Sequence, residues 1–143
     1  MINNIVDGIS IKLNQVFGDT FKIYYDEDVK QGLTEPCFFI MVLNPVEDPK
    51  LGSRTFRNNP FDIHYFPAVN GSNAELQSKA SDLYAAMRSI TLVNGDIVNG
   101  SRLRHEVNDG ILHFFVNFNM FITYEEVAGD PMETLTVNNN VKG

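Results

Sequence analysis

Three histidines and one aspartate are the residues of this 143-residue chain whose types best suit chemistry. His64, His105 and His113 each fall in stretches where apolar and polar residues alternate, and Asp62 stands two residues before His64. Imidazoles and carboxylates ligate transition metals and exchange protons in general acid–base catalysis. Strands lying side by side would bring these positions together. Their spacing argues the other way, because no pair has the His-x-x-x-His arrangement of a zinc helix with its nearby glutamate. The expectation is of polar or half-buried strand residues on the less apolar face of a sheet, with no catalytic residue, no metal site and no cofactor.

The remaining chemical candidates are weaker. Asp26-Glu27-Asp28 and Glu47-Asp48 lack the Asp-x-Asp-x-Asp-Gly spacing of a calcium loop and read as solvated turns. The chain has no Gly-x-Gly-x-x-Gly, no Walker-type loop and no Gly-x-Ser-x-Gly elbow. Cys37 is the single cysteine, so an intramolecular disulfide and a cysteine-based zinc site are both excluded. It sits in Pro-Cys-Phe-Phe-Ile-Met, where buried core filler is the simplest reading. Asn-Gly-Ser occurs at Asn70 and Asn99, and both read as turns. The formal net charge of −7 argues against binding nucleic acid through phosphates, which takes clustered Lys and Arg.

Arginines beside aromatics form a more useful set. Arg54 and Arg57 flank Phe56 next to a turn, and Arg102 and Arg104, two residues apart, are expected to share one face of a strand. A solvated sheet face is the plain interpretation. The functional one is a subunit contact, where arginine and aromatic residues are enriched. Phe115, Asn117 and Asn119, on the second face of the stretch that follows, complete the candidate interface.

That stretch, Ile111 to Tyr124, is the strongest pattern in the chain. Leu112, Phe114, Val116, Phe118, Met120, Ile122 and Tyr124 are apolar at every even position, the period of a strand. A single strand of that length would span ~48 Å and outrun one core, so another part of the chain or another subunit must cover the rest. Upstream, Ile2, Ile5, Val6, Ile9, Leu13, Val16 and Phe17 recur at helical spacing, with Gly8 inside the helix as the mark of a close contact. Strands are expected at Phe21 to Tyr25, Cys37 to Leu43, Arg54 to Phe66 with an interruption at Asn58-Asn59-Pro60, and Arg102 to Val107. Ser72 and Glu75 match a capping box for a second helix ending near Ile90. Asn94-Gly95 and Asn99-Gly100 read as turns, and Asp109-Gly110 as a hairpin.

The element order is α-β-β-β-α-β-β. It predicts an α+β domain over residues 1–126, with a largely antiparallel five-stranded sheet and two helices on one face. Residues 127–143 form a polar tail, expected to be flexible or an arm, with a short strand at Thr134 to Val137 as the ordered option. The longest apolar run, Cys37 to Leu43, is too short to cross a bilayer. The opening Met-Ile-Asn-Asn lacks the regions of a signal peptide, so the chain is expected to stay in the cytoplasm where it is made.

Several segments resemble a known family. Glu35-Pro36-Cys37-Phe38-Phe39-Ile40, Arg57-Asn58-Asn59-Pro60-Phe61-Asp62-Ile63-His64-Tyr65-Phe66 and Asp109-Gly110-Ile111-Leu112-His113-Phe114-Phe115-Val116-Asn117 look like signature segments of a tail terminator family. These proteins come from tailed bacteriophages and prophages of Gram-positive hosts. The opening Ile2 to Ile9 looks like it too. The resemblance implies a small α+β structural protein that assembles with itself as a ring, usually a hexamer. Such a ring caps the tail tube, stops its polymerisation and meets the head–tail connector, with no enzymatic residues or cofactors. The partners it implies are further copies of the chain, the tail tube protein and the connector, with DNA passing through the lumen. Assembly takes place in the host cytoplasm, before the protein joins the virion tail. A head–tail stopper or tube-like subunit would share the composition and differ in partner. A small metal- or ligand-binding module using Asp62, His64, His105 and His113 is the remaining alternative.

Overall fold

The amphipathic opening folds as helix α1, Ile2–Phe17, which buries Ile5, Val6, Ile9 and Leu13. At ~1.5–3 kcal/mol for each fully buried aliphatic side chain, that stripe outweighs the weak helix propensity of its β-branched residues. Gly8 is there for packing: a Cβ would meet Ile90 Cδ1 at 3.2 Å and Thr91 O at 3.3 Å. Five strands follow, β1 Lys22–Tyr25, β2 Cys37–Val42, β3 Val46–Pro49, β4 Arg54–Asn58 and β5 Pro60–Phe66. Helix α2, Asn73–Ala86, starts at Ser72, whose hydroxyl accepts the Glu75 N–H at 3.2 Å. The Glu75 carboxylate is turned to Tyr65, accepting its O–H at 2.7 Å. The chain continues through β6 Ser89–Thr91, β7 Ile97–Asn108, β8 Ile111–Phe118, β9 Met120–Glu126 and β10 Leu135–Asn138. This computed structural model describes residues 2–25, 32, 34–68, 71–126 and 135–138. The acidic stretch Asp26-Glu27-Asp28, Asn70 and most of the 127–143 segment lie outside them.

The α+β class and the two helices on one face stand, but the five-stranded antiparallel sheet does not. The strands form a six-stranded mixed sheet, ordered β1-β2-β5-β8-β7-β6, and a four-stranded antiparallel sheet, ordered β10-β9-β4-β3. The mixed character comes from β1 and β2, which run parallel with Tyr24 opposite Phe39. The connection from Tyr25 to Cys37 is long enough to return the chain for a parallel pairing.

Two expected strands are each split between the sheets. Asn59 divides Arg54–Phe66 into β4 and β5, and Asn119 divides the long alternating stretch into β8 and β9. The excess length is therefore covered from within the chain, by β4 and β10 of the second sheet. Two short strands account for the other differences. β3 lies in the proline-containing turn region. β6 takes residues expected at the end of α2, whose C-cap is Met87. β6 pairs with the start of β7 around the Asn94-Gly95 turn, so Asn99-Gly100 is strand and not turn. Gly100 is needed because a Cβ would stand 2.1 Å from Met87 O. The Asp109-Gly110 hairpin has φ of 53° and 74° at its two residues, the left-handed pair of a type I′ turn.

One face of the larger sheet carries Phe38, Ile40, Phe61, Ile63, Tyr65, Leu112, Phe114 and Val116 into a core closed by both helices. Phe17 of α1 packs on Phe38 at 5.1 Å, and Tyr84 of α2 packs edge-on to Phe114 at 4.9 Å. Met120 and Ile122 of the smaller sheet join the same core.

Candidate functional site

Asparagines turn both strands from one sheet into the other. Asn59 is fully buried. Its Nδ2 donates to the Phe118 carbonyl at 3.0 Å, its N–H to Asn117 Oδ1 at 2.9 Å, and its own carbonyl accepts the Phe118 N–H at 3.0 Å. Asn117 Nδ2 donates to Asn58 Oδ1 at 2.8 Å, and Asn119 Nδ2 to Ser101 Oγ at 3.1 Å. A strand leaving its sheet frees backbone groups that must find partners when buried. Short amides, which donate and accept at once, supply them. Asn117 and Asn119, read from the sequence as interface candidates, therefore spend their side chains inside the chain.

The other candidates divide into two groups around this corner. On the outer face of the smaller sheet, Phe56 and Phe121 are directly opposite, their rings 5.0 Å apart, and the Arg54 guanidinium lies 4.3 Å over the Phe121 ring. Arg57 points to the other side. It donates to Asn59 Oδ1 at 2.7 Å and pairs with Glu47 at 2.9 Å. Glu47 also accepts the Tyr124 O–H at 2.6 Å. That hydrogen bond, with the Arg57 charge, holds the Glu47 carboxyl below its ordinary range, and Glu47 in turn raises the Tyr124 phenol.

The second group lines a cleft of about 380 Å³ on the helix-free face of the larger sheet, beside the corner. Arg102, Arg104, Phe115 and Asn117 line it together with Val46 and Pro60. Arg104 stacks over Phe115 at 3.8 Å. The strand is not regular here, because a bulge between Ser101 and Arg104 places Arg102 at φ 54°. Both arginines nevertheless reach the same cleft. The bulge had no signal in the sequence, since Arg102 is neither glycine nor asparagine.

The histidines also separate. His105 lies on the helix side, between Tyr84 Oη at 2.9 Å and Gln77 Oε1 at 3.0 Å. His64 and His113 pair across β5 and β8 on the opposite face, ring centroids 4.4 Å apart, with Asp62 beside both. Cys37 is fully buried, and burial with the nearby Glu35 charge pushes its thiol up to about 11. At neutral pH it is a protonated thiol and a poor nucleophile.

A family model described as "Phage tail terminator protein" matches residues 4–130, a span holding α2, all but the first two residues of α1, the whole larger sheet and three strands of the smaller one. No curated protein matches the chain.

Proposed function

The chain belongs to the phage tail terminator family, and from that premise we propose that it closes the end of a tail tube as a homo-oligomeric ring of six copies. The family is structural and belongs to the virion tail, so the surfaces that matter are contact surfaces. The family match carries this reading, and the two arginine–aromatic surfaces give it a physical form. A ring needs two different patches on each copy that meet by rotation. The outer face of the smaller sheet, with Arg54, Phe56 and Phe121, and the cleft with Arg102, Arg104 and Phe115 are two such patches on opposite sides of the asparagine corner. Arginine stacked on an aromatic ring combines apolar area with a charge held in place, the mixture enriched at protein contacts.

In this reading the ring stops tube polymerisation and offers its other side to the head–tail connector. It assembles in the host cytoplasm and remains in the virion tail. The excess of acidic residues suits a lumen that passes DNA, since like charge keeps the duplex from sticking.

Deleting the gene tests the role. Loss of a terminator gives overlong tails, whereas loss of a stopper leaves tails of normal length without heads. Purified protein added to tube protein should cap the ends and halt elongation. A protein that stays monomeric and never engages tube ends would overturn the proposal.

A further inference from the structure

We propose that Asp62, His64 and His113 form a binding site for a divalent transition-metal ion of the zinc class, on the helix-free face of the larger sheet. This inference stands apart from the tube-capping role.

Strand register builds the site. His64 and His113 are direct partners across β5 and β8. Asp62 precedes His64 by two residues and so shares its face. Asp62 Oδ2 lies 2.9 Å from His64 Nε2 and 3.2 Å from His113 Nδ1, and the three donor atoms all fall within 4.8 Å of one another. Ligands at 2.0–2.2 Å from a tetrahedral zinc stand about 3.3 Å apart. The carboxylate is thus already at about the separation from each imidazole that an ion requires, before any side-chain movement.

The local chemistry is unfinished without a ligand. The Asp62 side chain is 9 % exposed, yet its Oδ1 is a buried atom without a hydrogen-bond partner. His64 Nε2, although 2.9 Å from Asp62 Oδ2, likewise makes no hydrogen bond. Two orphaned donors or acceptors in one buried cluster are unusual in a native fold. A cation held by the Asp62 carboxylate and His64 Nε2 would give both groups a ligand bond.

Ligand type selects the class of metal. Two imidazoles and one carboxylate suit zinc, cobalt, nickel or copper, whereas calcium and magnesium take oxygen ligands throughout. Phe39 and Phe66 pack against His64 at 5.5 and 6.0 Å, and Phe115 stacks along His113. This aromatic surround lowers the local dielectric and strengthens the attraction between ion and carboxylate. Three protein ligands leave a fourth position for water. The ring of His113 is 21 % exposed and gives an entry path.

Zinc titration of the chelator-treated full chain tests the site by calorimetry, with cobalt as a spectroscopic substitute. One ion should bind per chain, raise the melting temperature and give cobalt the visible bands of a low-coordinate site. His64→Ala and Asp62→Asn should weaken binding at least ~10–100-fold, the loss that even an outer-shell change produces. His105→Ala, on the opposite face, should not change it. Should a variant fail to fold, NMR of the unsubstituted chain decides. Zinc should shift the ring signals of His64 and His113 and leave those of His105 in place. Failure to bind zinc at micromolar concentration, or equal shifts at all three histidines, would overturn the site.

Discussion

Two stretches of chain run through both sheets and meet different fates in each. In the larger sheet, β5 and β8 set Phe61, Ile63, Leu112, Phe114 and Val116 against two helices. In the smaller one, the same stretches continue as β4 and β9, where Thr55, Met120 and Ile122 are buried on one side. The other side holds a half-buried phenylalanine pair beneath an arginine. Alternation thus makes a core where helices close over it, and contact material where the strand turns away from them. The asparagine corner lets one strand do both.

The sharpest way to break this contrast is to remove one ring from each sheet. Phe114 is fully buried beneath Tyr84, and Phe114→Ala should cost about 3–5 kcal/mol, the range for a large core truncation. Urea unfolding would measure it, and a loss under 1 kcal/mol would mean that the larger sheet is not the seat of stability. The corner comes next. Asn59→Ala removes the donor to the Phe118 carbonyl and the acceptor for Arg57. Leaving a buried carbonyl unsatisfied costs about 1–3 kcal/mol. Hydrogen exchange should show the amides of β4 and β9 opening before those of β5 and β8. Simultaneous opening would show the two sheets to be one cooperative unit.

How legible this was in the sequence depends on which corner is considered. Asn58-Asn59-Pro60 announces a break, because proline cannot donate to a ladder, and the structure breaks there. The matching break at Asn119 is silent. Phe118 and Met120 are both buried on the same inner side, so the strand wraps around the core without losing its period. Periodicity reports which side faces inward, not which sheet a residue belongs to. Helix α1, the Ser72 cap and the Asp109-Gly110 hairpin were readable for local reasons. β3 and β6 were not, being three or four residues that are strands only because a partner pairs with them. The candidate sites divide in the same manner. The arginine–aromatic residues could be named, but Asn117 could not be assigned to the corner before its partner Asn58 was placed beside it. Likewise, Asp62, His64 and His113 show no motif because their nearness is a product of register across 49 residues of sequence.

Phe121→Ala sharpens the contrast from the side of the smaller sheet. It removes the ring contact with Phe56 and the arginine stack, worth about 1 kcal/mol together at a half-buried place. Stability should fall only by that amount, while the capping of tube ends in an elongation assay should fall by much more. Normal capping by this variant would remove the outer face of the smaller sheet from the proposed contact.

The smallest effect is expected at the edge where Glu47, Arg57 and Tyr124 meet. The folded-state pKa of Glu47 is lowered, chiefly by the Tyr124 hydrogen bond and then by Arg57. Its contribution is therefore full above the unfolded value near ~4.3 and is lost as pH falls through the depressed folded value. Tyr124 has the opposite sign: its raised pKa contributes fully below ~10 and fades as pH rises through the folded value. Glu47 is 34 % exposed, so solvent holds the whole effect below ~1 kcal/mol. Glu47→Gln should lie slightly below the unsubstituted chain in urea midpoint at neutral pH and converge with it in acid. A gap that persists in acid would assign the contribution of this edge to shape and hydrogen bonding, not to charge. The smaller sheet would then be held by the same forces as the larger, and the contrast between them would rest on burial alone.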